Sequence, residues 1–297
     1  NSITHFVIMK TELINKLGGF RAEYNGAQDF DLVLRASEET TNIIHIPKVL
    51  YHWRVHPGST AMVADSKPYA YEAGLKAAED HQKRLGRKVK VNHGGDIPGI
   101  YEVEFEVEGN PKVSILIPNK DGIKYLKTCV ESVLSLTTYD NYEIDIIENN
   151  SEDEKTYEYY KELEKNEKIK VLHYPEKGFN YSKIINFGVK NTDGDFVLQL
   201  NNDTKLITKN WLEKFIGYAQ RKDIGAVGAR LYFEDKSIQH AGIAYGICDL
   251  AANLFPGLPW GIHDYYGKDC LIQDISGVTG ACLFCRRELY EEVRIYG

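Results

Sequence analysis

No apolar run in this chain approaches the roughly 20 residues that a bilayer span needs, so no membrane-crossing helix is expected. A secretory leader is missing from the visible sequence too, because no basic, apolar and small-residue succession opens it. The first residue is Asn1 rather than Met, which reads as a chain opened in mid-sequence with targeting information beyond it. Positive charge is in deficit, with 36 Lys and Arg against 43 Asp and Glu and a formal charge of −7. Without a global basic field, the chain is not expected to bind nucleic acid or to be drawn to anionic lipid. Such a surface does not attract a nucleotide diphosphate either, so a site for one needs backbone amides, local cations or a metal. Cysteine is sparse, five in 297 residues, odd in number and mostly scattered. A chain of this size has no need of disulfide staples, and the expected compartment is a reducing cytosol. Cys282 and Cys285 form a lone CxxC inside the apolar run from Ala281 to Cys285, and buried strand cysteines are the favoured reading over a zinc or redox pair.

What the chain does have is globular composition, 43% hydrophobic and 27% charged, and a long αβ alternation. Residues 112–118 read as a short apolar strand stopped by Pro118 and the polar Asn119-Lys-Asp-Gly122. Leu126, Val130, Val133 and Leu134 then recur at helical spacing. Strands over 142–147, 169–173 and 195–200 alternate with helices over 153–165, 181–190 and 211–220. That order predicts a mostly parallel, doubly wound sheet with right-handed crossovers. Ligands of such sheets sit beyond the carboxyl ends of the strands. Here those ends carry Asn119-Lys-Asp-Gly122, Glu148-Asn-Asn-Ser151 and Asn201-Asn-Asp-Thr204. Residues 66–111 read as a connector, with a helix over 69–85, a basic patch and an alternating strand over 101–107. A faint repeat links residues 6–17 to 282–293, each an apolar strand, a basic residue, then Glu-Leu opening a helix. A cut through two tandem copies leaves such a chain.

Four stretches carry chemistry. Asp203, just past a strand end, suits a hard divalent cation held against a pyrophosphate, and equally a solvated loop or helix cap. Gly178-Phe-Asn-Tyr-Ser-Lys183 opens a helix that Asn180 can cap and whose dipole can face phosphate. Asp29 and Asp31 precede a helix bearing Leu32, Leu34 and Arg35, so one acid can cap while the other serves as a general base. His52, Arg54 and His56 alternate and share one face of an extended segment, as a metal ligand and a diphosphate clamp do, or as plain surface residues do. Tyr245, Trp260, His263 and Tyr266 can stack on a sugar or pack a core.

Taken together these residues resemble family 2 glycosyltransferases of the GT-A fold, in the version where two catalytic modules stand in tandem in bacterial surface-polysaccharide synthesis. Residues 112–297 carry the front and middle of a module: Val113-Ser-Ile-Leu-Ile-Pro-Asn-Lys-Asp121, Glu148-Asn-Asn-Ser151, Asn201-Asn-Asp-Thr204, Ile238-Gln-His-Ala-Gly242 and Gly277-Val-Thr-Gly-Ala-Cys-Leu283. Residues 1–62 carry the back end of one, with Leu17-Gly-Gly-Phe20, Gln28-Asp-Phe-Asp-Leu32 and the segment from Tyr51 to Thr60. The fold implied is α/β, a Rossmann-like, mostly parallel sheet flanked by helices. Three segments follow: residues 1–65 as the C-terminal part of an upstream module, 66–111 as connector, and 112–297 as the nucleotide-sugar-binding part of a second, truncated module.

The resemblance also implies roles. Pro118, Asp121, Glu148, Asn180, Asn201, Asn202 and Asp203 hold the donor, a nucleotide-diphosphate sugar. Asp203 and His56 lie at a Mn²⁺ or Mg²⁺ ion, and Asn201 stands where many relatives have Asp. Asp29 deprotonates the hydroxyl of a glycan or lipid-linked acceptor, with Thr279, Gly280 and Asp31 on the acceptor side. The reaction implied is one inverting in-line displacement, in the cytoplasm or at the inner face of the membrane. Because the base and the metal carboxylate belong to different modules, residues 1–62 are expected to be able to dock onto 112–297 within a chain or in a domain-swapped homo-oligomer. Two other readings stand beside this one: a nucleotidyltransferase, and a degenerate module that recognises a glycan or a partner without catalysis.

Overall fold

The computed structural model describes residues 6–52, 68–95 and 97–293, and the chain divides into two compact units, residues 1–106 and 107–297. The first holds α1 (Thr11–Leu17), α2 (Gln28–Glu39), α3 (Pro68–Arg84) and an antiparallel hairpin of β1 (Val89–His93) and β2 (Tyr101–Phe105). Gly18 ends α1 at φ 75°, the left-handed position that glycine takes at least cost. The expected connector is part of this body. Glu38 of α2 takes hydrogen bonds from Arg84 and pairs with His81 of α3, and the Tyr24 hydroxyl donates to Asp80. Residues 6–10, expected as a strand, are irregular, whereas their repeat partners at 282–286 do form one. A strand persists only where neighbours satisfy its amides and carbonyls. The 282–286 segment has two such neighbours; the first unit's described sheet is the hairpin alone.

The second unit runs β3 (Val113–Asn119), α4 (Ile123–Leu136), β4 (Tyr142–Glu148), α5 (Glu154–Leu163), β5 (Ile169–His173), α6 (Tyr181–Lys190), β6 (Phe196–Leu200) and α7 (Trp211–Ala219). Short strands follow: β7 (Val227–Gly228), β8 (Leu231–Tyr232), β9 (Ile238–His240), β10 (Ile243–Tyr245) and β11 (Ala251–Asn253), before β12 (Cys282–Arg286) and α8 (Arg287–Val293). The main sheet has the order β5-β4-β3-β6-β12-β7. Its first four strands are parallel, as the αβ alternation predicts, and β12 lies antiparallel between β6 and β7.

Helices cover both faces. Ile115, Ile117, Ile144 and Ile146 pack with Leu126 and Val130 of α4 and Leu212 and Ile216 of α7, while Leu116, Ile147 and Val197 face Ile184 and Ile185 of α6 and Tyr290 of α8. Strands β3, β4 and β6 are buried on both sides for this reason. Cys282 and Cys285 are buried strand residues, and burial pushes their thiols up to about 12 and about 11, so the CxxC is packing material. Gly188 lets α6 lie close on the sheet. A Cβ there would stand 2.4 Å from Ile147 Cδ1 and 3.2 Å from Leu116 Cδ1. Gly188→Val should therefore cost about 3 kcal/mol through overpacking, read as a lower denaturation midpoint. An unchanged midpoint would mean that α6 can stand off the sheet without penalty.

Candidate functional site

From β3 to β4 to β5 the chain steps across the sheet in one direction, with α4 and α5 on one face. It then crosses by α6 on the other face and lays β6 on the far flank of β3. That reversal parts the loops beyond the carboxyl ends of β3 and β6 and leaves a crevice between them. A cleft of about 260 Å³ lies there, lined by Pro118, Asn119, Lys120, Asn149, Asn150, Gly178, Phe179, Ile184 and Asn202. One hydrogen bond closes its floor: Asn202 Nδ2 donates to Asn119 Oδ1 at 2.7 Å.

The expected donor residues meet at this rim, but they are used differently. Glu148, only 2% exposed, is fully engaged by its own loop and by α5. It accepts from the Ser151 amide at 2.5 Å, the Ser151 hydroxyl at 2.9 Å, and the hydroxyls of Tyr157 at 3.2 Å and Tyr160 at 3.4 Å. Asp121 is similarly occupied. It stands at φ 51°, its amide donates to Ser151 Oγ at 2.9 Å, and its Oδ1 accepts from the amides of Glu152 and Asp153. These two carboxylates stitch the β3–α4 and β4–α5 loops together and set the shape of the cleft. Asn180 caps α6, its Oδ1 accepting from the Lys183 amide at 3.1 Å. Pro118 lines the cleft directly.

Asp203 differs from them. It is exposed, and among the described residues its carboxylate takes part in no hydrogen bond or ion pair. The turn beneath it is held by Thr204, whose hydroxyl donates to the Asn201 carbonyl at 2.7 Å, and by Cys129, whose thiol burial pushes up to about 11. The Asn201 amide bonds the Ala281 carbonyl at 3.0 Å, tying this turn to the loop before β12. In that loop Thr279 donates its amide to His240 Nε2 at 3.3 Å, and the Gly280 carbonyl accepts from Tyr181 at 3.0 Å.

In the first unit, Asp29 is half-buried in the opening turn of α2, with Oδ1 accepting from the Phe30 amide at 2.9 Å. Asp31 requires a correction to its expected acceptor-side position. It is fully buried and bonded by Arg21 and by Arg35, whose Nε and Nη2 reach it at 3.0 and 2.8 Å. Burial would push its carboxyl up, but those hydrogen bonds bring it below the usual range. Arg35 also donates to the carbonyls of Leu17 and Gly19. Asp31 therefore holds the Leu17-Gly-Gly-Phe20 turn against α2 and has no face left for a substrate. His56 and Arg54 lie outside the described residues.

Three residues of the site were passed over in the sequence. Asn119, 2% exposed, joins three elements: it receives Asn202 and donates to the Asp121 carbonyl and the Tyr160 hydroxyl. As the last residue of a strand ending on a polar run, it carried a readable signal. His240 had a motif but no role. Tyr160 offered nothing, since a helix tyrosine at a buried position looks like any other.

Residues 114–294 match the sequence profile of Glycosyl transferase family 2. The uncharacterized protein y4gI of Sinorhizobium fredii is 39% identical over 300 residues, covering 99% of this chain and 32% of that protein. The O-antigen biosynthesis protein RfbC of Myxococcus xanthus is 35% identical over 292 residues, covering 98% of this chain and 23% of that protein. The chain thus spans about a third or less of the length of these relatives. Among solved structures, mannosyltransferase PcManGT from Pyrobaculum calidifontis, in complex with GDP-Man and Mn²⁺, aligns with a TM-score of 0.44 at 13% identity, over 75% of this chain and 55% of that one.

Proposed function

The chain belongs to glycosyl transferase family 2, and from that premise we propose that it serves the transfer of a sugar from a nucleotide-diphosphate donor to a glycan or lipid-linked acceptor, with inversion, in bacterial cell-surface polysaccharide synthesis. The observation that carries this reading is the crevice at the sheet's switch point, floored by Asn119 and Asn202, with the exposed carboxylate of Asp203 next in the chain after Asn202. Pro118, Asn149 and Phe179 line a slot of the size and character for a base and ribose. Asn180 and the start of α6 face the phosphates, where helix amides are oriented toward an anion. Glu148 and Asp121 act as positioning residues through the loops they hold.

The donor set fits a hard cation. A carboxylate on a short turn, preceded by the amide-bearing Asn201 and Asn202, suits Mg²⁺ or Mn²⁺, which take one or two carboxylates together with substrate phosphates. Such an ion, when bound, neutralises charge on the departing diphosphate. In this reading Asp29 accepts the acceptor's hydroxyl proton, a step worth about 10²–10⁴-fold when base and substrate are aligned. Thr279 and Gly280 border the acceptor side. The first unit is then the C-terminal part of a preceding module, and exchange between modules or copies brings Asp29 to a donor site. We assign the work to the cytoplasm or the inner face of the membrane. No helix among the described residues is long and apolar enough to cross that membrane.

Calorimetric titration tests the donor site. UDP and GDP, each with and without Mn²⁺, should show saturable binding for at least one nucleotide, and that binding should need the metal. Heats indistinguishable from dilution for both would remove the assignment.

A further inference from the structure

Residues 262–271 do not line the crevice, and none of the donor, metal, base or acceptor-side roles proposed above falls on them. Among the described residues, one set of three metal-binding side chains converges, and it is here: His263, Asp269 and Cys270, each offering one ligand atom, all within 4.8 Å of one another. His263 Nδ1 lies 3.1 Å from Asp269 Oδ2 and 3.7 Å from Cys270 Sγ. Zinc at its usual bond lengths, about 2.0–2.1 Å to nitrogen or oxygen and about 2.3 Å to sulfur, sets tetrahedral ligands about 3.3–3.6 Å apart. The two separations from His263 already lie close to that spacing, and a small turn of the Cys270 side chain brings the third within it.

The surroundings are built for it. A 3-10 turn over Tyr265–Cys270 folds the chain back so that ligands six and seven residues apart meet. Asp269 is 4% exposed, and its second oxygen is held by the Asp264 amide at 3.0 Å, which aims Oδ2 at the histidine. Arg230 donates to the Asp269 carbonyl at 3.0 Å and fixes the backbone of the turn, with its guanidinium 3.8 Å from Oδ2. His263 is over one-third exposed, leaving a fourth position open to water.

We propose that His263, Asp269 and Cys270 form a zinc site, separate from the donor metal at Asp203, that clips the 262–271 segment. Thiolate and imidazole select Zn²⁺ or Co²⁺, whereas the all-oxygen rim at Asp203 suits Mg²⁺ or Mn²⁺. Binding replaces the Cys270 thiol proton, which goes to solvent together with water released from the ion, and the Sγ contact to the Gly267 carbonyl at 3.1 Å is given up. The clip fixes the approach to residues 273–276, which wall a cleft of about 350 Å³ with Ile243 and Leu254, so the metal orders a wall of that cleft.

Cobalt reports the site without any assay of transfer. Chelator-treated, desalted protein titrated with Co²⁺ should develop the thiolate-to-cobalt charge-transfer band and tetrahedral visible bands at one equivalent, and Zn²⁺ should displace both. Cys270→Ser should abolish the charge-transfer band, His263→Gln should weaken binding by at least about 100-fold, and Asp203→Asn should change neither. In the unaltered protein, Zn²⁺ should also protect Cys270 from alkylation while leaving the exposed Cys248 reactive. A band that persists in Cys270→Ser, no band at all, or equal alkylation of Cys270 with and without Zn²⁺ would each overturn the proposal. The donor-site reading stands or falls separately, on nucleotide binding.

Discussion

Alanine at position 203 should weaken metal-dependent nucleotide binding by about 100-fold or more, because on the proposed reading the ion loses the carboxylate that anchors it beside the diphosphate. An ion in this role contributes several kcal/mol of charge stabilisation, and each 1.4 kcal/mol is about tenfold in affinity. The other two acids at the rim cannot take over. Glu148 is enclosed by Ser151, Tyr157 and Tyr160, and Asp121 is bonded to the amides of the next loop. Asp203 holds nothing in the fold, so the same substitution should leave the melting temperature almost unchanged, as expected of an exposed position. Calorimetry with Mn²⁺ and the nucleotide, run beside a thermal melt, reads both effects. Equal affinity in the two proteins would detach the metal from Asp203.

The second large effect concerns stability. Asp145 lies in the middle of β4 with no exposed surface, and neither carboxylate oxygen has a hydrogen-bond partner. Burial, and then the charge of Glu143, push its carboxyl from the ordinary 3.8 up to about 7. The folded chain therefore keeps a proton that the unfolded chain gives up at lower pH. Stability linked to this group is intact below about pH 4, declines as pH rises from about 4 to about 7, and stays at its reduced level above that. Keeping an ionised carboxylate in this position costs about 4 kcal/mol at pH 8, but the linked loss is only about 1–2 kcal/mol at pH 5. Asp145→Asn removes the ionisation while keeping the shape. Its melting temperature relative to the parent should rise between pH 5 and pH 8 by the equivalent of about 2–3 kcal/mol, roughly 5–10 °C for a unit of this size. Titrating groups that do not interact with Asp145 cancel in the difference. A gap that is the same at both pH values would show that Asp145 is solvated or paired in solution.

Much of the second unit is determined locally. The short, mostly apolar and β-branched runs at 113–119, 142–148 and 196–200, bounded by polar turns, read as buried strands, and the intervening stretches repeat apolar residues at helical spacing. Such patterns depend on neighbours in sequence, so the parallel sheet and its polar rim follow from the chain alone. Position within the rim does not. Asp121, Glu148 and Asp203 look alike as acids at strand ends, and only tertiary contacts make the first two loop staples and leave the third free. Asp31 and Asp29 stand two residues apart in one helical turn, yet packing against Arg21 and Arg35 consumes one and not the other. Residues 6–10 have the same strand-forming pattern as 282–286, but extended backbone needs lateral partners, and these come from β6 and β7 in one case only. His263 and Cys270 likewise acquire a shared meaning when a 3-10 turn brings them together. Local propensity and patterning are carried by residues close in sequence, whereas the use of a charge is settled by which distant groups surround it, and that is a property of the folded chain.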